Sequence, residues 1–142
     1  MNILKITKAD LDERGFYAAS ESVNFDGAIE IDGNLGWVQF RGFLRAAAGI
    51  AAEAGSGIKA AWGIEAGWGI EAGSGIEAGF QISARKAISA KLRIFAGSCI
   101  WRVPAATEMT IIAREVNGSV CYGDVKLLTE TTEAPTVATD AD

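Results

Sequence analysis

The chain has 142 residues, a net charge of −5, 49% apolar residues, 17 glycines and no histidine. This length suits one domain, and the missing histidine removes the commonest general base and the commonest metal ligand together. No apolar run approaches the ~18 residues that cross a bilayer, and Met1-Asn2-Ile3-Leu4-Lys5 lacks a secretory pattern, so the expectation is an intracellular protein with no membrane partner.

Residues 1–28 read as an N-terminal cap, with residues 7–13 forming a short helix or turn over the first coil of a repeat. That repeat occupies residues 29–103. Isoleucine recurs at every sixth position through Ile58, Ile64, Ile70, Ile76, Ile82, Ile88, Ile94 and Ile100, and alanine falls two places after each from Ala60 to Ala96. On an α-helix six residues turn through about 600°, which sets successive isoleucines about 240° apart and forms no stripe. Each interior glycine would cost a helix about 1 kcal/mol more. In a strand, by contrast, Ile and the Ala two places on share one face, and an even period keeps that face from one repeat to the next.

Units this short cannot pair as hairpins, but three of them can make one triangular coil. The period extends back through Val38-x-Phe40, Leu44-x-Ala46 and Ile50-x-Ala52, with two extra residues near Gly55-Ser56 absorbed by a bulged corner. Ile29-x-Ile31 forms an earlier side, and Gly33-Asn34-Leu35-Gly36 a longer turn. The expected fold is all-β: a three-sided parallel β-helix of about four coils with neighbouring coils paired in ladders. Stacking every third side gives three interior columns: Ile29/Ile50/Ile70/Ile88, Val38/Ile58/Ile76/Ile94 and Leu44/Ile64/Ile82/Ile100. The same register sets Lys59 over Glu77, Arg45 over Glu65, Trp62 over Phe80 and Trp68 over Lys86.

Residues 104–128 read as a C-terminal β-hairpin cap, because Asn117-Gly118 between two apolar runs is a strong hairpin signal. Residues 129–142 read as a disordered acidic tail. Glu130, Glu133, Asp140 and Asp142 carry four of the five net negative charges there. Cys99 and Cys121 lack metal-ligand spacing and are expected as thiols.

Catalytic constellations are missing from this pattern, and no cofactor or metal is expected. Hexapeptide-repeat acyltransferases share the six-residue unit, but their chemistry rests on a histidine base. They also place the small residue before the aliphatic one, whereas alanine follows it here. Ice binding through ranked threonines fails as well, since no threonine lies between Asp10 and Thr107. Glu65, Glu71 and Glu77 fall on three different sides, which argues against a duplex-mimicking acidic stripe. Arg85, Lys86, Lys91, Arg93 and Arg102 spread around corners, which disfavours nucleic acid as a partner. Trp62, Trp68 and Phe80 occupy a position that also accepts Ser56, Ser74 and Lys86, so they are expected to face outward as a partner-binding surface.

The Gly-Ile-Glu-Ala-Gly units, followed by Ile-Ser-Ala-Lys-Leu-Arg-Ile-Phe-Ala-Gly, resemble the Gly-Ile-Glu-Ala-Gly repeat proteins of bacteriophages and other mobile elements. The resemblance covers about half the chain. It implies a β-solenoid and a mobile-element setting and brings no catalytic residues; the expected location is the cytoplasm of the host cell. The expected function is a non-enzymatic phage or prophage protein that binds a host protein stoichiometrically, as a counter-defence inhibitor would. The alternatives are a self-assembling homo-oligomeric module using its ends or its aromatic flank, and an oligomer that sequesters a nucleotide ligand or mimics DNA.

Overall fold

An Ile-x-Ala triplet in extended conformation turns two side chains to one face and the middle one to the other, and adjacent glycine eases the turn into the next triplet. The computed structural model describes residues 2–97 and 108–127. In chain order the strands are β1 (Ile3–Ile6), β2 (Val23–Phe25), β3 (Ala28–Ile31), β4 (Gly36–Phe40), β5 (Leu44–Ala46), β6 (Ile50–Ala52), β7 (Ser56–Ala60) and β8 (Ile64–Ala66). They continue as β9 (Ile70–Ala72), β10 (Ile76–Ala78), β11 (Ile82–Ala84), β12 (Ala87–Ala96), β13 (Thr110–Ala113), β14 (Glu115–Tyr122) and β15 (Asp124–Leu127). Among the described residues there is no α-helix, and a 3-10 turn spans Lys8–Asp10.

The fold is nearly all parallel β, consistent with a parallel β-helix, and its strands pair in three stacks. The first stack runs β1-β3-β6-β9 and continues through the front halves of β12 and β14. The second runs β4-β7-β10 and continues through the back halves of the same two strands, and the third runs β2-β5-β8-β11-β13-β15. Because β12 and β14 belong to both of the first two stacks, those two form one curled sheet.

The registers reproduce the columns expected from the period of six and lengthen them. Leu4, Ile29, Ile50, Ile70, Ile88 and Val116 succeed one another in the first stack. Val38, Ile58, Ile76, Ile94 and Val120 do so in the second, and Val23, Leu44, Ile64, Ile82, Ile111 and Val125 in the third. The central isoleucines of all three columns are exposed by 1% or less and join one contiguous core. Each such side chain contributes roughly 1.5–3 kcal/mol by leaving water. The second inward position is alanine through the middle of the stacks and larger toward the start, where Phe25, Ile31 and Phe40 pair with Ala46, Ala52 and Ala60.

The ends differ from the sequence expectation in three respects. Residues 1–28 are not only a cap, since β1 and β2 extend the first and third stacks in register. Capping falls to the segment between them. Residues 11–17 lie along the edge of β4, where the Tyr17 N–H donates to the Gln39 carbonyl (2.8 Å) and the Gln39 N–H to the Gly15 carbonyl (2.9 Å). Tyr17 packs on Phe40 with ring centroids 5.6 Å apart.

The second difference lies in the third column, where Ile111 occupies the place expected of Ile100 as the neighbour of Ile82. Ile100, Cys99, Arg102 and the acidic tail lie outside the described residues.

Third, the expected C-terminal hairpin is replaced by parallel pairing: β14 runs along β12, and β13 lies between β11 and β15. Asn117-Gly118 sits inside β14, where Gly118 (φ 138°) lets one residue turn the corner that Ala90, Lys91 and Leu92 occupy in β12. A Cβ there would meet the Ala90 carbonyl oxygen at 2.8 Å. A left-handed glycine serves a sharp corner as readily as a hairpin turn, and the two leave the same mark in sequence.

The expected bulge near Gly55-Ser56 is present and is matched by the longer turn beside it. The Asn34 and Gly36 N–H groups donate to the Ala54 and Gly55 carbonyls (2.9 and 3.0 Å). Ser56 is fully buried, and its hydroxyl accepts from the Leu35 N–H (3.0 Å) while donating to the Asp32 carbonyl. The two irregular turns therefore stack on each other, and the Ser56 hydroxyl, at the end of one, satisfies two backbone groups of the other.

The N-terminal segment is held by Asp12, whose carboxylate accepts from the Arg14 and Phe16 N–H groups (2.8 and 3.0 Å) and pairs with Arg41 at 3.2 Å. The Phe16 and Arg14 N–H groups, together with Arg41, hold its pKa below the ordinary aspartate value. A carboxylate depressed in the folded state stabilises it above the unfolded pKa and loses that contribution as pH falls through the folded value. Thermal melts from about pH 7 to about pH 2 should therefore show Asp12→Asn destabilised at neutral pH, with the gap to the parent closing in acid.

Candidate functional site

Outward positions carry the chemistry, because the inward ones are filled by aliphatic side chains. The four stacked pairs expected from the register are all formed. Arg45 Nε lies 3.0 Å from Glu65 Oε1, and Lys59 Nζ lies 3.7 Å from Glu77 Oε2. Trp62 and Phe80 have ring centroids 5.2 Å apart at an interplanar angle of 36°. Lys86 Nζ sits 4.7 Å over the Trp68 ring.

Backbone ladders through the turns fix these pairs. At the turn leading from the second stack to the third, the Trp62 N–H donates to the Gly42 carbonyl (3.1 Å) and the Phe80 N–H to the Trp62 carbonyl (3.0 Å). At the turn from the third stack to the first, the Trp68 N–H donates to the Ala48 carbonyl (3.1 Å) and the Lys86 N–H to the Trp68 carbonyl (2.8 Å). Each turn is thus a ridge of superposed residues. Trp62 and Phe80 share one ridge, while Trp68 stands on the next.

Burial separates the three aromatics further. Trp68 is 60% exposed and Trp62 is 46% exposed, but Phe80 is only 7% exposed. Phe80 thus keeps its place on the outer ridge beside Trp62 but is buried there, so the exposure expected of it is corrected. Trp62 and Phe80 border a shallow cavity of about 340 Å³ on the outer face of the third stack, facing Phe43, Arg45 and Glu65. Trp68 and Lys86 border a second of about 390 Å³ on the outer face of the first stack, beside Glu30 and Glu71. In the first cavity the Arg45–Glu65 pair offsets its own charge, and Arg45 also lies 4.7 Å from the Phe43 ring centroid.

One exposed aromatic escapes the hexad pattern. Trp37, on β4, is partly exposed, and its indole lies across the next two strands at Gly57 and Gly75. A Cβ at either glycine would come within 2.9 and 3.0 Å of that ring. The signal is the glycine before Ile58 and Ile76, which leaves a slot for a flat side chain. The described residues hold no cluster of three or more His, Cys, Asp or Glu side chains that could bind a metal, and Cys121 is an exposed thiol. No helix of the described residues is long and apolar enough to cross a membrane. Compared with protein-family models, with curated proteins and with solved structures, the chain matches none.

The burial difference gives Trp62 and Phe80 different roles. Urea unfolding should place Phe80→Ala about 3 kcal/mol below the parent, as expected for a truncated core aromatic. Trp62→Ser should cost clearly less. Equal losses would show that both rings are structural.

Proposed function

We propose that the three stacks are the walls of one three-sided parallel β-helix. In this reading the hexads form about four coils, with a partial coil (β1 and β2) before them and a short closing coil (β14 and β15) after. The support is the shared core: three columns of inward side chains, drawn from every third hexad, belong to one buried cluster.

On that scaffold, we infer a non-enzymatic protein that binds a host protein stoichiometrically on behalf of a phage or prophage. The observation that carries the binding role is the exposure of Trp62 and Trp68, each at the rim of a shallow groove on a rigid wall. Exposed tryptophan is costly to keep in water and is enriched where binding energy concentrates. The mobile-element setting rests on the Gly-Ile-Glu-Ala-Gly resemblance alone.

The test has two stages. The purified chain is used to isolate a partner from host lysate, and the partner is then titrated calorimetrically with the parent, Trp62→Ser, Trp68→Ser and the double variant. The expected result is a fixed molar ratio, no covalent change in the partner's mass, and affinity reduced more than about tenfold in the double variant. Undiminished binding by a double variant of unchanged melting temperature would remove the tryptophans from the contact, and turnover of the partner would remove the stoichiometric reading.

A further inference from the structure

The two ends of the stacks are unlike. At the start, residues 11–17 cover β4 and Tyr17 covers Phe40, while β1 and β2 each pair with one strand yet leave Leu4 half-buried and Val23 buried. At the other end, among the described residues, β14 pairs only with β12 and β15 only with β13. All four residues of β15 are exposed, Val125 by 38% and Leu127 by 61%. Val125 continues the third column directly above the fully buried Ile111. The edge is therefore an apolar column with nothing described above it, and an open edge of this kind invites pairing.

We propose that this end binds the same end of a second copy, as a twofold dimer. Three features of the last coil make it self-complementary. First, each column ends in valine: Val116 in the first stack, Val120 in the second and Val125 in the third. A twofold axis perpendicular to the stacks and passing through Val125 reverses strand direction, sets Val125 against Val125 of the partner subunit, and exchanges the first and second walls. That exchange brings Val116 against Val120 of the partner subunit, so all three columns continue across the joint. Second, antiparallel pairing about Val125 puts Asp124 opposite Lys126 of the partner subunit, and Lys126 opposite its Asp124. Opposite charges in directly facing positions stabilise antiparallel pairs, and like charges destabilise them. Third, Asp124 and Lys126 are exposed and alternate along β15 with Val125 and Leu127, so the charges meet outside while the valines meet inside; their β13 neighbours Thr110 and Ile112 are buried. A twofold joint also closes, whereas head-to-tail stacking would continue into a filament.

The inference goes beyond the partner-binding reading and places both tryptophan ridges outside the joint. It rests on the three-walled arrangement, which can be tested separately by contacts between the inward isoleucines.

Sedimentation equilibrium of the full chain, from micromolar to millimolar concentration, should show a monomer–dimer equilibrium. Asp124→Lys and Lys126→Asp each replace two attractive facing pairs by two repulsive ones, and each should raise the dimer dissociation constant about tenfold or more. The doubly swapped variant (D124K with K126D) should restore the dimer, and an equimolar mixture of the two single variants should form heterodimers. Circular-dichroism melts establish that the variants are folded; if a single variant is not, the doubly swapped variant still decides. A chain that stays monomeric throughout overturns the proposal. So does growth into larger particles, or a dimer indifferent to the single swaps. A monomeric chain would leave the tryptophan reading untouched, since binding through Trp62 and Trp68 has its own titration.

Discussion

Everything in this protein depends on stacking like on like at a spacing the backbone already dictates. Parallel strands sit about 4.8 Å apart, so residues in register are brought side by side whether or not their side chains suit one another. Here they suit: Ile58, Ile76 and Ile94 follow one another in one column, with Ala60, Ala78 and Ala96 in the column beside it. Branched aliphatic side chains fill the volume between strands, and alanine keeps the core narrow. A polar group at an inward position needs its own hydrogen bonds, and Ser56 shows how that is met, by two backbone groups of the adjacent 32–36 turn.

The same register organises the outer surface. Arg45 faces Glu65 and Lys59 faces Glu77 because inward and outward positions advance together. Exposed ion pairs of this kind contribute little to stability, typically below about 1 kcal/mol. Their effect is to keep a nearly neutral wall free of repulsion and to leave the aromatic ridges as its distinctive feature. Trp62 and Trp68 are set by their hexad positions, so groove and scaffold cannot be separated. A substitution that shifts the register of one strand would move every ridge residue stacked on it.

Most of the architecture was legible because the period is even and strict. It identified the strand state, the facing direction and the column membership of the central isoleucines. The ends were less legible: Leu4, Val116 and Val120 join their columns from segments without the hexad rhythm, and Val23, although six residues before Ile29, stands alone ahead of the repeat. Nothing in local sequence distinguishes a Gly118 that turns a corner inside β14 from one that closes a hairpin. Ile111 beside Ile82 was hidden for the same reason: its strand docks by long-range pairing that a periodicity cannot express. For the candidate site, the pairing of Trp62 with Phe80 was readable from their separation of three hexads. The burial of Phe80 was not, because exposure depends on the neighbouring turns as well as on the column.

The central claim is that inward isoleucines from every third hexad touch within one core. The most direct measurement is a methyl–methyl NOE spectrum of the protein labelled at isoleucine δ1 carbons and assigned by single substitutions. Cross-peaks linking Ile58 to Ile76 and Ile76 to Ile94, together with Ile50 to Ile70 and Ile64 to Ile82, are the expected result. Isoleucine methyls that show no contact beyond their nearest neighbours in sequence, or that are fully accessible to a soluble paramagnetic agent, would contradict it.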